Sequence, residues 1–316
     1  MKITILDGHA LNPGDLSWDC IKAFGTVTYH DRTEGEALTV ERIGDSDMIL
    51  LNKVPITESV LAQCPNLKLI CVLATGYNVV DCKAAAARGI PVCNVPGYGT
   101  DAVAQFTFAL LLELCHQVGL HSDSVHNGEW SACPDFCYWK TPQMELAGKT
   151  MGIIGYGAIG QAVAKIAQAF GMHVLAYSRT HYPGHSYVDL DTLLSHSDIV
   201  SLHCPLFPEN TGMINADTIV KMKDGAILLN TARGALIDEA AVAQALKNGK
   251  LRGVAADVVC SEPIPANSPL LTAPNCILTP HMAWAPIESR QRILDATVQN
   301  IRAFLDGNPR NVVNMS

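Results

Sequence analysis

The chain has 316 residues, 48% of them hydrophobic and 16% charged, with a formal net charge of -8. This length exceeds the size at which one hydrophobic core usually stops growing, so we expect two compact domains. The basic residues are scattered, the first residues lack the apolar core of a signal peptide, and no stretch is long and apolar enough to cross a bilayer. We therefore expect a cytoplasmic protein that binds neither nucleic acid nor membranes.

In the first hundred residues, short apolar runs of β type alternate with helical segments. The runs KITILD, MILLNKV, LKLICVLA and PVCNVP are typical of buried strands, and the first of them ends at Asp7. Segments such as TESVLAQC and VDCKAAAARG separate them. A long apolar helix is predicted at residues 100–118, where Asp101 would stabilise the N-terminal end of the helix dipole. This alternation predicts parallel strands covered by helices.

A second alternating series begins at TMGIIGYG. It continues through HVLAYS, DIVSLHC, GAILLNTAR, LRGVAADVV and NCILTPH, with helical stretches between several of these runs. A final helix with apolar residues at helical spacing is predicted to stop at Gly307, before Pro309. The predicted fold class is therefore α/β, with two Rossmann-like lobes that are each built on a parallel sheet.

The eleven cysteines fall mostly inside apolar runs, as Cys71 and Cys93 do, which predicts reduced and buried thiols. Cys133 and Cys137 in CPDFC have the spacing of a metal or redox pair. Neither a second pair nor a nearby histidine completes a site there, so we expect no metal.

A glycine-rich turn follows the strand TMGII and precedes a segment with helical periodicity. The first glycine of such a turn allows a tight bend, the second lets the backbone approach a pyrophosphate, and the third allows close packing of the helix. The alternative is a turn that binds nothing, but the order of strand, turn, helix and strand favours dinucleotide binding. The residues predicted to contact the pyrophosphate are Gly155, Gly157, Ala158, Ile159 and Gly160.

The type of dinucleotide depends on the residues after the next strand, HVLAY. NAD-specific sites carry a carboxylate there for the ribose hydroxyls. Here the strand is followed by Ser178, Arg179 and Thr180, which could bind the 2′-phosphate of NADP. Arg179 could equally be a solvated surface residue, so NAD(H) and NADP(H) both remain open.

Reducing a 2-keto acid requires a cation for the carboxylate, a donor that polarises the carbonyl, and an acid that protonates the oxygen. The later strands end in such groups: Arg233 follows LLNTA, Asp257 and Glu262 follow the next strand, and His281 follows the last. The carboxyl ends of parallel strands border the ligand crevice, so we expect these side chains to lie close together.

The order of these motifs resembles the D-isomer-specific 2-hydroxyacid dehydrogenase family over essentially the whole chain. The matching segments are GYGAIG, NTARG, the Glu262-Pro263 pair and the histidine of LTPH. The resemblance implies that Arg233 binds the substrate carboxylate and carbonyl, that His281 exchanges the proton, and that Glu262 orients His281. A carboxylate beside an imidazole favours its protonated form, which agrees with this role. Taken singly, each residue could instead be a helix cap, a surface group or a core histidine.

Further contacts follow from the same resemblance. Asp257 would contact the nicotinamide carboxamide, and the loops lining the dinucleotide would include Cys204, Pro205, Thr211, Thr231 and Ala232. Backbone amides of ATGYNVVD would hold the substrate carboxylate, which indicates Ala74, Thr75 and Gly76, with Asn52 and Lys53 close by. Lys53 could equally be a surface lysine. Trp284 stands where many family members have small residues, and it either narrows the substrate pocket or packs at the domain hinge.

The resemblance implies a discontinuous substrate domain, residues 1–98 with 288–316, a dinucleotide-binding domain at 99–287, a cleft between them and a homodimer. The implied activity is hydride transfer between NAD(H) or NADP(H) and C2 of a small 2-keto or 2-hydroxy acid. The glycerate dehydrogenase, or hydroxypyruvate reductase, members are the most similar in pattern, so hydroxypyruvate and glyoxylate are the expected substrates. A short form of D-3-phosphoglycerate dehydrogenase and a dinucleotide-sensing corepressor remain as alternatives.

Overall fold

The computed structural model describes residues 1–315, in which eleven strands and eleven α-helices alternate along the chain. The strands are β1 (Lys2–Ile5), β2 (Thr26–Tyr29), β3 (Met48–Leu51), β4 (Leu69–Val72), β5 (Val92–Cys93), β6 (Thr150–Ile154), β7 (His173–Tyr177), β8 (Ile199–Leu202), β9 (Ala226–Asn230), β10 (Leu251–Ala256) and β11 (Cys276–Leu278). The helices are α1 (Asp19–Lys22), α2 (Glu36–Ile43), α3 (Glu58–Gln63), α4 (Cys82–Ala87), α5 (Thr100–His116), α6 (Val118–His126), α7 (Ala158–Ala169), α8 (Leu190–His196), α9 (Ala216–Lys221), α10 (Glu239–Lys247) and α11 (Ile287–Leu305).

The first compact unit combines Met1–Gly99 with the C-terminal stretch that begins at Trp284. Its five strands form a parallel sheet in the order β2-β1-β3-β4-β5. Successive residues of β3 and β4 point into two different apolar clusters, so both faces of the sheet are covered. α11 contributes Ile293, Leu294 and Ile301 to one of these clusters.

The sequence patterns do not predict β2, which lies at the edge of this sheet. Its four residues TVTY are exposed or half-buried, because the strand pairs with β1 on one side and is not enclosed by a core. An edge strand of this kind carries no continuous apolar run, and periodicity therefore does not reveal it.

The second compact unit is Thr100–Ala283, and its six strands form a parallel sheet in the order β11-β10-β9-β8-β6-β7. Apolar clusters again cover both faces. The predicted α/β class with two parallel sheets is thus confirmed. In both sheets the first strand lies between the second and the third. The connections that follow the first and the third strands therefore run to opposite sides, and a crevice opens at the carboxyl ends of these two strands.

The apolar helix predicted at residues 100–118 is in fact two helices. α5 ends at His116, Gln117 adopts a left-handed conformation with φ of 45°, and α6 begins at Val118. Within residues 1–315, no single helix has the length and apolar composition needed to cross a membrane. α5 and α6 reach them only as a pair bent by 55°.

Candidate active site

The turn after β6 is shaped by two glycines that no other residue could replace without movement of the backbone. Gly155 has φ of 96°, and a Cβ added there would lie 2.4 Å from the amide nitrogen of Cys204. A Cβ at Gly160 would lie 2.2 Å from the carbonyl oxygen of Gly155. These glycines let the turn pack against both the loop after β8 and the first turn of α7.

Gly157 differs from these two glycines, because a Cβ added there would meet no atom of residues 1–315 within 4 Å. It is the N-cap residue of α7, and no side chain caps the helix. The first amides of α7, including those of Ala158 and Ile159, therefore offer hydrogen-bond donors and the positive end of the helix dipole beside an open space. These features fit the pyrophosphate of a nicotinamide dinucleotide.

The residues after β7 place a cation at the same edge of the sheet. The guanidinium of Arg179, between Ser178 and Thr180, lies 4.4 Å from the centre of the Phe207 ring in a cation–π contact. Burial raises the pKa of the Cys204 thiol, and the charge of Arg179 partly opposes that shift. Phe207 was not among the predicted contacts, and an aromatic residue in a loop gives no sequence signal of its partner.

The loop after β8 is held by its own side chains. The Asn210 side-chain amide donates to the carbonyl oxygen of Pro205 (2.9 Å), and the Thr211 hydroxyl donates to the carbonyl oxygen of Phe207 (3.1 Å).

His203, directly after β8, pairs through Nε2 with the Ser201 hydroxyl at 2.7 Å. Its Nδ1 is buried with no hydrogen-bond partner within residues 1–315, and burial lowers the pKa of His203 to about 3. His203 is therefore neutral at physiological pH.

Arg233 follows β9 and is exposed, with one guanidinium nitrogen donating to the carbonyl oxygen of Ala232 at 2.7 Å. The hydroxyl of Thr231 is buried against that of Thr107, at 3.0 Å. A Cβ at Gly234 would overlap the backbone of Val259, since the two segments pack in direct contact. This close packing sets the Arg233 loop beside the loop that leads to Glu262.

Glu262 and His281 form a hydrogen-bonded pair. Oε2 of Glu262 lies 2.8 Å from Nδ1 of His281, and Oε1 accepts a hydrogen bond from the amide of Val259 at 3.3 Å. Both side chains are about one-third exposed, 37% for Glu262 and 33% for His281. The pair is thus oriented from the protein side while it stays within reach of a ligand.

Asp257 holds the segment that carries His281. Asp257 is 1% exposed, and its carboxylate accepts hydrogen bonds from the Thr279 hydroxyl (2.6 Å) and from the amides of Met282 (2.9 Å) and Ala283 (2.8 Å). His281 itself has φ of 52°, a left-handed conformation that costs a non-glycine residue about 1 kcal/mol. The hydrogen bonds to Asp257 offset this strain. The contact of Asp257 with the nicotinamide carboxamide stays a prediction.

In the first unit, the predicted substrate residues lie at the carboxyl ends of β3 and β4. Asn52 is buried and Lys53 is exposed. The Thr75 hydroxyl donates to the carbonyl oxygen of Val95 at 2.8 Å, while the Asn94 side-chain amide donates to that of Thr75 at 2.8 Å. The Thr75 side chain therefore braces its own loop, which also includes Ala74 and Gly76.

Sequence reasoning missed the carboxylate of Asp7, which lies at the same edge of the sheet as the segments after β3 and β4. Asp7 accepts hydrogen bonds from the backbone amides of Asn52 (2.7 Å) and Lys53 (2.6 Å). An aspartate at the end of a strand is too common to indicate such a contact.

Trp284 begins the C-terminal part of the first unit. It is partly buried, packs against the apolar cluster beneath α11, and contacts Tyr98 edge-to-face with ring centres 6.4 Å apart. This packing lies within the first unit, and both sequence interpretations of Trp284, packing at the domain hinge and narrowing of the substrate pocket, stay predictions.

Comparison with known proteins agrees with this geometry. Residues 108–283 match the family described as D-isomer specific 2-hydroxyacid dehydrogenase, NAD binding domain. The chain is 53% identical over 321 residues to a hydroxypyruvate reductase of Blautia hydrogenotrophica, covering 99% of this chain and 100% of the relative. The chain belongs to the D-isomer-specific 2-hydroxyacid dehydrogenase family. It is therefore an oxidoreductase with a nicotinamide dinucleotide as cofactor, and the predicted family is confirmed.

Other members of this dehydrogenase family are also similar to it. A glycerate dehydrogenase of Methylorubrum extorquens is 46% identical over 87% of both chains. Among solved structures, an acyclic imino acid reductase in complex with NADPH and D-Arg superposes with a TM-score of 0.86. It is 31% identical, over 99% of this chain and all of that one.

Proposed function

We propose that this dehydrogenase reduces hydroxypyruvate to D-glycerate, with glyoxylate as a second substrate. The observation that carries the proposal is the pair of Glu262 and His281, which the segments after β10 and β11 present at the sheet edge that also carries the glycine-rich turn. Relatives named hydroxypyruvate reductase and glycerate dehydrogenase support this choice of substrate. A small 2-keto or 2-hydroxy acid, rather than nucleic acid or a membrane, is the partner.

The bound dinucleotide would supply the hydride for C2 of the keto acid. Arg233 would hold the substrate carboxylate and polarise the carbonyl, which its exposed guanidinium permits. Because Nδ1 of His281 is engaged by Glu262, Nε2 is the atom that would give its proton to the carbonyl oxygen. The carbonyl group thus gains a hydride on C2 and a proton on its oxygen, which gives the 2-hydroxy acid.

We assign the substrate domain to residues 1–98 with 288–316, and the dinucleotide-binding domain to residues 99–287. The two compact units change at Gly99–Thr100 and at Ala283–Trp284, a few residues from these limits. Asn52, Lys53 and residues 74–76 would receive the substrate in the first of these domains.

We propose NADPH as the preferred cofactor. Ser178, Arg179 and Thr180, the three residues directly after β7, include no carboxylate that would repel a 2′-phosphate. The Arg179 guanidinium is held over the Phe207 ring, with the hydroxyls of Ser178 and Thr180 beside it in sequence. In an Arg179→Ala variant, KM for NADPH should rise about tenfold while KM for NADH changes less than twofold. Equal changes for both cofactors would remove Arg179 from this role.

The substrate assignment is tested by a spectrophotometric panel of 2-keto acids with NADH and NADPH. Hydroxypyruvate should give the highest kcat/KM, followed by glyoxylate. A preference for 3-phosphohydroxypyruvate would favour phosphoglycerate dehydrogenase, and tight NADH binding without turnover of any keto acid would favour a dinucleotide sensor. Either result would contradict the proposal.

We propose a homodimer located in the cytoplasm. The segment from α6 to residue 139 exposes several large apolar side chains, the most exposed being Phe136 at 89% and Trp139 at 68%. A pocket of about 480 Å³ is lined by Leu112, Met144, Leu146 and Phe170 together with His116, Gln143, Glu145 and Ala147, and its apolar residues would accept such side chains from a second copy. All eleven cysteines are free thiols, as is usual in a reducing compartment.

The dimer is tested by sedimentation velocity of the parent chain and of a Phe136→Ser, Trp139→Ser variant. The parent should sediment as a dimer and the variant as a monomer. A monomeric parent at micromolar concentration would contradict the dimer.

A further inference from the structure

The crevice of the first sheet contains an anion that belongs to the chain itself. In the strand order β2-β1-β3-β4-β5, the connection after β1 and the connection after β3 run to opposite sides, so the crevice opens between the carboxyl ends of β1 and β3. Asp7 lies two residues beyond the end of β1, and Asn52 lies directly beyond the end of β3. Their segments therefore form the two walls of the crevice.

The carboxylate of Asp7 binds the loop after β3 through consecutive backbone amides. Oδ1 accepts from the amide of Asn52 at 2.7 Å and Oδ2 from that of Lys53 at 2.6 Å. The amide of Val54 also acts on this carboxylate. Hydrogen bonds to an ionised carboxylate are short and roughly twice as strong as those between neutral groups. Two hydrogen-bonded amides on one anion, with a third amide close enough to favour its charge, fix the direction of the loop.

The charge of Asp7 is partly compensated within the same loop. Burial raises the pKa of Asp7, whereas the three amides and the ammonium of Lys53 oppose that shift. Lys53 is exposed, so its ammonium can also meet a ligand from solvent. The backbone amides of the loop are already occupied, which leaves the Lys53 side chain and the neighbouring residues 74–76 to receive a substrate carboxylate.

We propose that Asp7 is a positioning residue for substrate binding: by holding the amides of residues 52–54, it directs Asn52 and Lys53 toward the 2-keto acid. This role rests on the proposed function, because it requires that the loop binds substrate. Asp7 does not touch the reacting atoms, so its removal should weaken substrate binding and leave the chemical step nearly unchanged.

The test compares Asp7→Asn with Asp31→Asn. The Asn side chain keeps the shape of Asp but turns an N–H donor toward one of the loop amides. Asp31 is an exposed carboxylate of the same unit that accepts a hydrogen bond from the Tyr29 hydroxyl, and it controls for the loss of one negative charge. In Asp7→Asn, KM for hydroxypyruvate should rise about tenfold, while kcat and the Kd for NADPH stay within twofold of the parent. Asp31→Asn should match the parent in all three.

Hydrogen exchange supplies a second measurement that needs no substrate. The amides of residues 52–54 should exchange at least tenfold faster in Asp7→Asn than in the parent, with little change in the amides of β6 and β8. Unchanged exchange at 52–54 would overturn the anchoring, and an unchanged KM, or equal changes in KM, kcat and cofactor Kd, would overturn the positioning role. A parent chain that turns over neither hydroxypyruvate nor glyoxylate would instead contradict the proposed function. The exchange measurement would still show whether Asp7 holds the amides of residues 52–54.

Discussion

The two sheets of this dehydrogenase share the strand order around their first strand but build the following turn differently. After β6, the chain turns through Gly155 and leaves an open space beside Gly157 and the uncapped start of α7. After β1, the carboxylate of Asp7 binds the loop that follows β3. One crevice can thus receive the phosphates of a ligand, whereas the other is occupied by an anion of the protein. The same topology therefore serves dinucleotide binding in one unit and loop positioning in the other.

Within the second unit, Asp257 does for the His281 segment what Asp7 does for residues 52–54. Each carboxylate accepts hydrogen bonds from backbone amides of a loop that carries a predicted functional side chain. If the roles differ as proposed, loss of Asp257 should affect the chemical step and loss of Asp7 should affect substrate binding. The following experiments test this division.

The largest effect is expected when the proton donor itself is removed. His281→Ala should lower kcat by about 10²- to 10⁴-fold, the usual contribution of a positioned acid or base. The Kd for NADPH, measured by fluorescence titration, should stay within twofold, because the glycine-rich turn is untouched. His196→Ala, at an exposed histidine at the end of α8, is the control and should retain parental turnover. Near-parental kcat in His281→Ala would end the assignment of His281.

The next effect is expected at the anchor of the His281 segment. Asp257→Asn replaces an acceptor of three hydrogen bonds with a group that can accept at one oxygen only, so the left-handed conformation of His281 loses support. We expect kcat to fall about 10- to 100-fold, since misplacement of a catalytic group by about 1 Å can cost 10²-fold. Steady-state kinetics beside Asp7→Asn provide the measurement. A rise in KM with unchanged kcat in Asp257→Asn would contradict the proposal that Asp257 supports the chemical step while Asp7 supports substrate binding.

The glycine-rich turn could be predicted from sequence because backbone geometry restricts Gly155 and Gly160 to glycine. The grouping of Arg233, Glu262 and His281 was predicted because each follows a strand, and their roles were implied by the resemblance to the family. The Glu262–His281 pair was expected from resemblance, and the structure brings these two side chains within hydrogen-bonding distance. Asp7 could not be predicted, since its partners are 45 and 46 residues away and are backbone amides that any residue carries. β2 could not be predicted for a related reason, because an exposed edge strand needs no apolar run in the sequence.

A smaller effect concerns His203, which follows β8 as Asn52 follows β3. The pKa of His203 is about 3 in the folded protein, against about 6.5 for an ordinary histidine, so the unfolded chain binds the proton more tightly. The contribution of His203 to stability is present above pH 6.5 and is lost as the pH falls from 6.5 toward 3. Between pH 7 and pH 5 this loss amounts to about 2 kcal/mol. Urea unfolding of the parent and of His203→Asn should therefore show a shallower pH dependence in the variant, and identical slopes would contradict the neutral state of His203.

The smallest effect separates a glycine that the fold requires from one that the ligand requires. Gly157 has φ of -77° and free space at its Cβ position, so Gly157→Ala should change the free energy of unfolding by less than about 1 kcal/mol. The added methyl group would occupy the space through which a pyrophosphate approaches, so the Kd for NADPH should rise about tenfold, or about 1.4 kcal/mol. Gly155→Ala is the matched variant: its φ of 96° and the contact with Cys204 predict loss of stability instead. The first sheet provides the contrast, because Asp7→Asn should leave NADPH binding unchanged. If Gly157→Ala bound NADPH as tightly as the parent, the open space beside α7 would not be the phosphate site, and the two crevices would no longer differ in the way described above.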